Sequence, residues 1–400
     1  MTDLPPDATV RRSPLHDTHV AAGAAFTDFA GWQMPVRYSG DLAEHTAVRR
    51  AAGLFDLSHM GEILVVGPDA AAALDYALAG PMSALQERQA KYTLLLAENG
   101  GILDDLVVYR TGVDRYLVVA NASNRGTVAA RLRERVEGFD AVVEDESDDI
   151  GLLALQGPRA LEILQNLDGL DLRADIEDGS TTPDALAALR YYRCIRGEFE
   201  GRRILIARTG YTGEDGFELY TAPESLRALW TSLLEIGAGA GLVPAGLAAR
   251  DSLRLEAGMP LYGHELGLSI LPAQAGLGRA VSLDGKGDFV GRAALESGRP
   301  ADPASEFAGR VLVGLAAEGK RAPRAGYAIY NGQEDRDRIG VVTSGLLSPT
   351  LGHPIALAYV DEDLAAPGTV VSVDVRGTRL PATITSLPFY RRDRQRGAAA

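Results

Sequence analysis

Apolar and polar residues recur along this chain with two different periods, which predict helices and strands in a mixed order. Apolar residues at helical spacing predict helices at 41–53, 69–78, 124–137, 158–167 and 223–236. Short runs rich in apolar and β-branched residues, bounded by turn residues, predict strands at 62–66, 92–96, 102–109 and 116–120. The Asn99-Gly100-Gly101 turn predicts a hairpin between two of these strands. Hairpins interspersed with helices are typical of an α+β fold and not of a doubly wound sheet.

The pattern changes beyond residue 306, where short apolar strands replace the helices. Such strands are predicted at 311–315, 339–343, 356–360, 370–375 and 382–385. Their spacing indicates a small all-β domain of barrel or sandwich type. The preceding stretch LESGRPADPASEF is rich in Gly, Pro, Ser and charge, which is typical of a linker. We therefore expect two interleaved α+β lobes at 1–295, a linker at 296–306 and a barrel-like domain at 307–400.

The composition is that of an acidic globular enzyme, with 46% apolar and 24% charged residues. The formal net charge of −14 argues against a nucleic-acid partner, which would need a basic face. Cys194 is the only cysteine, so no intrachain disulfide can form, and its neighbours predict a residue that fills a strand. The first twelve residues lack an apolar core and no long apolar run follows, so we expect a cytoplasmic protein without a membrane partner. The six histidines show neither a helical i,i+4 pair nor a nearby acid cluster, so we expect no metal site.

Glycines recur at every third position in RTGYTGEDGFELY, residues 208–220, just before a strand-like run. This spacing allows sharp turns and close approach of the backbone. Alternation along the run should place Glu218 on the strand face opposite Phe217 and Leu219. A carboxylate beside such a turn can accept two parallel hydrogen bonds from a flat ring edge. The alternative is an ordinary hairpin with a surface acid.

The adjacent acids Asp104 and Asp105 lie in the strand-like run GGILDDLVVYR. Adjacent strand residues point to opposite faces, so one acid can be solvated while the other faces a pocket. An acid among apolar neighbours is a candidate for proton transfer or for polarising an amine. Alternatively, both acids are charges that protect an edge strand from aggregation.

Two further polar positions have two possible interpretations each. In LAARDSLRLEAG, Arg250 and Arg254 fall at helical spacing, and either face solvent as a pair or direct a guanidinium toward a carboxylate. Asn121 ends a predicted strand, and either bonds a ligand carbonyl or caps the turn that follows.

Long stretches of the chain match one known family in content and in order. They include HTAVRRAAGLFDLSHMGEI (45–63), YTLLLAENGGILDDLVVYR (92–110), RTGYTGEDGFELY (208–220), AARDSLRLEAGMPLYGHEL (248–266) and VTSGLLSPTLGHPIALAYV (342–360). On these stretches, which with shorter ones span nearly the whole chain, it resembles the glycine cleavage system T-protein (aminomethyltransferase) family. The resemblance implies a three-lobed molecule with a central folate site and a C-terminal barrel. It also implies the reaction, in which tetrahydrofolate takes the one-carbon unit from the aminomethyl-lipoyl arm of H-protein, with release of ammonia and reduced lipoyl.

The resemblance also assigns roles to individual residues. It selects Asp105 as the catalytic acid, which strand geometry alone could not do, and Glu218 as the acceptor for the pterin ring. Residues that it places around the folate are Met60, Tyr92, Asn121, Tyr191 and Tyr211. Arg250 matches an arginine near the acid and the ligand, and its individual role is left open. Arg394 is a weaker match. One departure is Ala248, which stands where relatives usually have glycine.

Two other functions are compatible with the same superfamily. One is a tetrahydrofolate-dependent demethylase of methylated amines or sulfonium compounds, which turnover with and without lipoylated H-protein would distinguish. The other is a non-enzymatic folate-binding protein of iron–sulfur assembly. Those relatives carry a cysteine in a Lys-Gly-Cys-Tyr type motif, whereas this chain reads Lys286-Gly287-Asp288-Phe289, which counts against that function.

Overall fold

The structure is a computed structural model that describes residues 10–176, 178–334 and 336–392. Its helices are α1 His16–Ala21, α2 Asp41–Arg50, α3 Ala70–Ala77, α4 Arg125–Val136, α5 Ala160–Gln165, α6 Thr182–Ala188, α7 Pro223–Gly237, α8 Leu247–Glu256 and α9 Arg292–Glu296. Its first strands are β1 Arg11–Arg12, β2 Ala25–Phe29, β3 Trp32–Arg37, β4 Ala52–Asp56, β5 Gly61–Val66, β6 Ala90–Leu96, β7 Ile102–Gly112, β8 Arg115–Ala120, β9 Val142–Asp145, β10 Gly151–Gln156 and β11 Leu170–Asp171. The later strands are β12 Cys194–Phe199, β13 Arg202–Ala207, β14 Gly216–Thr221, β15 Leu242–Pro244, β16 Arg310–Ala317, β17 Ala328–Tyr330, β18 Arg338–Leu347, β19 Pro354–Asp361, β20 Val370–Val375 and β21 Thr378–Thr385. Arg394 lies outside the described residues.

The strands form two large sheets, a small sheet and a barrel. The seven-stranded sheet has the order β11-β12-β13-β14-β10-β4-β15, and the five-stranded sheet has the order β6-β7-β8-β5-β9. Strands β1, β3 and β2 form the small sheet, while β16 to β21 close into a barrel. The predicted α+β class is confirmed, and the alternative of barrel or sandwich is resolved in favour of a closed barrel.

The two large sheets pack face to face, and helices cover their outer faces. The core between them joins Phe55 and Tyr220 of the seven-stranded sheet to Leu64, Tyr109 and Leu117 of the five-stranded sheet. Outside, α5 and α7 bury the seven-stranded sheet, and α3 and α4 bury the five-stranded sheet. Burial of apolar surface drives this packing. A polar side chain between the two sheets is therefore unfavourable unless it has hydrogen-bond partners or a function.

Two of the differences from the predicted elements have a clear physical reason. The predicted helix 41–53 ends at Arg50, because residues 52–56 form β4, a strand that is buried on both faces. Strand β17 has only three residues, Ala328–Tyr330, and was not predicted because so short a run shows no period. Cys194 is buried in β12 as expected, and burial raises the pKa of its thiol to about 12.

Arg254 joins helix α8 to the barrel. Its guanidinium lies 3.0 Å from Glu265 and 2.8 Å from the Oγ of Ser344 on β18, and the side chain is almost fully buried. The interpretation of Arg250 and Arg254 as a solvent-facing pair is therefore wrong. Ala248 is the second residue of α8, and alanine fits a helical position without strain.

A second buried network, which we call the Glu256 cluster, joins α2, α8 and the barrel loop at 348–350. Glu256 accepts hydrogen bonds from Arg49 at 2.9 Å and from Thr350 at 2.7 Å, and His45 lies 3.2 Å away. The Arg49 guanidinium also stacks on Tyr390, whose N–H donates to the Glu256 carbonyl at 2.8 Å. The sequence did not show that His45 has an acid neighbour, because the partners of His45 are distant in the chain.

Candidate active site

A cavity of about 710 Å³ opens where the two large sheets meet the segment 258–264. Every sequence-predicted site residue that the structure describes lines it: Met60, Tyr92, Asp105, Asn121, Tyr191, Tyr211, Glu218 and Arg250. A second cavity of about 750 Å³, between Arg115 and Arg203, contains none of them. The 710 Å³ cavity is within the usual range for small-molecule sites. We therefore take it as the candidate active site.

The sheets and one helix bring these residues together from distant parts of the chain. The five-stranded sheet supplies Tyr92 from β6, Asp105 from β7 and Asn121 from the end of β8. The seven-stranded sheet supplies Glu218 from β14, and α8 supplies Arg250. Tyr92, Asp105 and Glu218 stand on strands and Arg250 on a helix, so this half of the site residues has a rigid frame.

The acids Asp104 and Asp105 lie on the central strand β7, between β6 and β8. The interpretation of both acids as edge-strand charges is therefore wrong. Asp105 faces the cavity, whereas Asp104 is fully buried and not solvated. The strand register between β6 and β7 shifts just before the acids, between Leu95 and Leu96. Such a bulge redirects the side chains that follow it.

Asn121 links the two acids through its amide. Its Nδ2 lies 2.8 Å from the Oδ1 of Asp104 and 2.7 Å from the Oδ1 of Asp105. Its backbone N–H also donates to Asp104 at 3.1 Å, and Asn124 donates to Asp104 at 2.8 Å. Tyr92 donates its hydroxyl to the other oxygen of Asp105 at 3.0 Å. The amide of Asn121 thus orients Asp105, a role that neither sequence interpretation of this residue contained.

No cation among the described residues pairs with either acid, so no paired positive charge lowers the pKa of Asp104 or Asp105. Burial and the neighbouring charge of Asp105 raise the pKa of Asp104 to about 7. Burial also raises the pKa of Asp105, while the hydrogen bonds from Tyr92 and Asn121 oppose that rise. Two close carboxyl groups without a cation share protons readily. Near neutral pH the pair therefore offers negative charge to an incoming cationic group.

Glu218 is bound on one oxygen only. Its Oε2 accepts hydrogen bonds from Thr209 at 2.5 Å, from Tyr109 at 3.0 Å and from Tyr220 at 3.3 Å. No described residue donates to Oε1, and Glu218 lines the cavity. The sequence missed Tyr220 and Thr209, although Tyr220 stands two positions after Glu218 and therefore on the same strand face. One carboxylate oxygen is thus left for a ligand.

Arg250 and Tyr211 form a stacked pair at the far wall. The guanidinium carbon lies 4.7 Å from the ring centre of Tyr211, and the Tyr211 hydroxyl donates to the carbonyl of Pro260. Burial lowers the pKa of Arg250, while Tyr211 and Glu218 oppose that shift. Within the described residues, no carboxylate lies at ion-pair distance from Arg250. A cationic group without a paired acid can meet an anionic or carbonyl oxygen of a ligand.

His59 is a wall residue that the sequence did not indicate. It is buried, lies edge-on against Phe29 at 5.4 Å, and its Nδ1 has no partner among the described residues. Burial lowers the pKa of His59 to about 4, so its ring is neutral near pH 7. Its position beside Met60 in the chain is the one signal that could have suggested it.

The described residues contain no group of three or more His, Cys, Asp or Glu side chains placed to hold a metal ion. None of the helices in that part of the chain is both long and apolar enough to cross a bilayer.

Comparison with known proteins gives matches over nearly the whole chain. The GCVT N-terminal domain model matches residues 15–285, and the glycine cleavage T-protein C-terminal barrel domain model matches residues 310–391. An aminomethyltransferase of Cutibacterium acnes is 56% identical over 96% of this chain and 99% of its own length. An aminomethyltransferase of Saccharopolyspora erythraea is 54% identical with the same two coverages.

A solved structure has the same fold. The glycine cleavage system aminomethyltransferase T from Bartonella henselae superposes with a TM-score of 0.83 at 37% identity, covering 96% of this chain and 98% of that one. The fold, the site and these matches define an aminomethyltransferase, which is a group-transfer enzyme. The chain belongs to the glycine cleavage T-protein family.

Proposed function

We propose that the protein transfers the one-carbon unit of an aminomethyl-lipoyl group, carried by H-protein, to tetrahydrofolate. The products are 5,10-methylenetetrahydrofolate, ammonia and dihydrolipoyl H-protein, so the enzyme acts in glycine catabolism. The observation that carries the proposal is Asp105, a carboxylate that faces a cavity of about 710 Å³ and has no paired cation among the described residues. The reaction develops positive charge at the transferred carbon, and such a carboxylate stabilises that charge.

In this reaction Asp105 faces the methylene carbon and the folate N5 that attacks it. The C–N bond to the amine and the C–S bond to the lipoyl sulfur break, and bonds from the carbon to N5 and N10 form. The two protons lost by N5 and N10 balance those gained by the amine and the sulfur. Asp105 is within reach of these exchanges and can hold a proton between them, because its pKa is raised by burial. Tyr92 and Asn121 keep its carboxylate fixed during the exchange.

The cavity walls fit a pterin with an aromatic tail. Glu218 offers Oε1 to the N–H donors of the pterin ring, and such a charge-assisted bond is strong in a buried site. Tyr92, Tyr191 and Tyr211 line the cavity with aromatic rings that can pack against the ring systems of folate. Arg250 lies in the same wall, and we leave its partner on the ligand open.

Several sequence expectations remain part of this proposal. They are a cytoplasmic location, a contribution of Arg394 to the site, and domain limits at 1–295 and 307–400 with a linker between them. In the structure α9 ends at Glu296 and the first barrel strand begins at Arg310, which is compatible with those limits.

The test is the release of ammonia from aminomethylated H-protein by the purified protein, with and without tetrahydrofolate. We expect ammonia release that is rapid only with tetrahydrofolate. Tight folate binding without any acceleration would contradict the proposal and favour the demethylase alternative. Methylated amines and sulfonium compounds would then be screened as substrates.

A further inference from the structure

Three buried hydroxyl groups surround one oxygen of Glu218. Thr209, Tyr109 and Tyr220 are at most 4% exposed, and all three contact Oε2. The hydroxyls also contact one another: Tyr109 lies 2.9 Å from Thr209, and Tyr220 lies 3.2 Å from Tyr109. We call these three residues the hydroxyl trio. A buried hydroxyl without an acceptor is unfavourable, so each hydroxyl proton of the trio needs a hydrogen-bond acceptor.

A count of protons shows where they go. Each hydroxyl carries one proton to donate, so the trio has three. The trio contains two internal contacts, Tyr109 with Thr209 and Tyr220 with Tyr109. If each proton has an acceptor within this group, at least one of them is donated to Oε2 of Glu218. A charged carboxylate is the acceptor that best satisfies such a group of donors.

The hydroxyl trio also fixes the direction of the Glu218 carboxylate. Tyr109 stands on β7 of the five-stranded sheet, whereas Tyr220 and Glu218 stand on β14 of the seven-stranded sheet. The carboxylate is therefore held across the interface between the two sheets. Its Oε2 is turned into that interface, and Oε1 remains for the cavity.

We propose that Tyr109, Thr209 and Tyr220 are positioning residues that hold the Glu218 carboxyl group by its Oε2 and direct its Oε1 to a pterin N–H donor. The proposal rests on the proposed function, in which Glu218 receives the donors of tetrahydrofolate. It differs from a two-oxygen contact with the ring edge, because three hydroxyls already occupy Oε2. The trio thereby sets the strength of folate binding without contact with the transferred carbon.

The first measurement is the dissociation constant of tetrahydrofolate for the full chain and for variants of the trio. Hydrogen bonds to charged groups have a typical strength that corresponds to about a tenfold change in affinity. We expect about tenfold weaker binding for Thr209→Val and about fivefold weaker binding for Tyr109→Phe. Thr209→Ser keeps the hydroxyl and should restore affinity to within about twofold. At saturating folate, kcat should stay within about twofold of the wild-type value.

Tyr116→Phe is the matched control. Tyr116 is fully buried on the neighbouring strand β8, and its hydroxyl has no partner among the described residues. Tyr116→Phe removes a phenolic oxygen, as Tyr109→Phe does, but from a tyrosine that is not part of the trio. We expect unchanged folate affinity, and a loss like that of Tyr109→Phe would show that any buried phenol has this effect and would overturn the proposal.

A double-mutant cycle with Glu218→Gln separates positioning from general packing. If the trio acts through the charge of Glu218, Thr209→Val should cost little further affinity in the Glu218→Gln background. Additive losses would overturn the proposal. Equal affinity of the wild type and all trio variants would overturn it as well, while the proposed function would stand. A wild type that binds no tetrahydrofolate would overturn the proposed function and this proposal together.

Discussion

Two groups of buried carboxyl groups in this molecule differ in what surrounds them. In the Glu256 cluster, Arg49 and His45 lie within 3.2 Å of the carboxylate. Burial alone would raise the pKa of Glu256, but the hydrogen bond and charge of His45, with Ser348 and Arg49, lower it to about 2. At the cavity, Asp104 and Asp105 receive amide and hydroxyl donors and no cation from the described residues. Burial and the charge of Asp105 raise the pKa of Asp104 to about 7.

The comparison separates an acid whose cationic partners lie within the fold from an acid pair to which the described residues supply no cation. A buried carboxylate whose oxygens are all bonded to cations and hydrogen-bond donors has no free oxygen to bind a substrate. A buried acid pair that lacks a cation is unfavourable for the fold and attracts a cationic group. The Glu256 cluster and the cavity thus place buried carboxyl groups in opposite surroundings, and each can be altered separately.

The largest expected effect separates catalysis from binding at the site. Asp105→Asn keeps the shape of the side chain and removes its charge, so turnover should fall about 10²- to 10⁴-fold, the range for general acid–base groups. The tetrahydrofolate dissociation constant should stay within about threefold, because Glu218 is untouched. Single-turnover rates and equilibrium binding check this, and equal losses in both would make Asp105 a binding or folding residue.

Glu256→Gln tests the other half of the comparison. Glu256→Gln removes a buried charge that pairs with Arg49 and His45, although Arg49 keeps Glu214 at 2.9 Å as a second acid partner. The free energy of unfolding should therefore fall by about 3 kcal/mol, the lower end of the range for a broken buried ion pair. Urea denaturation measures this. Asp105→Asn is the matched variant, and should leave the midpoint unchanged or raise it, because it removes a charge that no cation pairs. A midpoint that falls equally in both variants would contradict the distinction.

Glu218→Gln tests the proposed binding of tetrahydrofolate by the Glu218 carboxylate. A neutral amide loses a charge-assisted bond, which is typically about 1.5–3 kcal/mol, so tetrahydrofolate affinity should fall roughly 10- to 100-fold. Titration calorimetry measures it, with kcat at saturating folate as the internal control. Unchanged affinity would remove Glu218 from the binding site.

The smallest effect concerns pH and has opposite signs in the two regions. The pKa of Asp104 is raised above its ordinary value of 3.8 to about 7, so its contribution to stability is full below about pH 4 and is lost as pH rises through 7. The pKa of Glu256 is lowered from 4.5 to about 2, so its contribution is full above about pH 4.5 and is lost as pH falls through 2. We expect Asp104→Asn to flatten the decline in unfolding free energy between pH 5 and 8 by about 1 kcal/mol per pH unit. Urea midpoints across that range provide the measurement, and an unchanged slope would contradict the raised pKa.

Local pattern was sufficient for much of the fold. Strand β8 was predicted at 116–120 and found at Arg115–Ala120, and α7 was predicted at 223–236 and found at Pro223–Gly237. These elements have a clear period and clear ends, which single-sequence reasoning can detect. Strand β17 was missed because it is too short to show a pattern. The end of α2 was placed too late because strand β4 begins almost directly after it.

The sequence predicted residues that line the cavity, but not the contacts between them. Family resemblance singled out Asp105 and Glu218, whereas strand alternation left Asp104 and Asp105 equal. The amide of Asn121 and the hydroxyl trio act through distances between strands that no local pattern encodes. The Glu256 cluster was missed for the same reason, since Arg49 and Glu256 are 207 positions apart in the chain.

The Glu256 cluster also has a consequence for how the chain folds. The contact of His45 with Thr350 closes a segment of 305 residues, so the cluster forms only after the barrel has docked on the rest of the molecule. Contacts between such distant residues form late and slow the folding of a domain. Before that, Glu256 lacks its contacts with Ser348 and Thr350, so a chain stalled before residue 348 leaves this part of the cluster uncovered and open to chaperones and proteases.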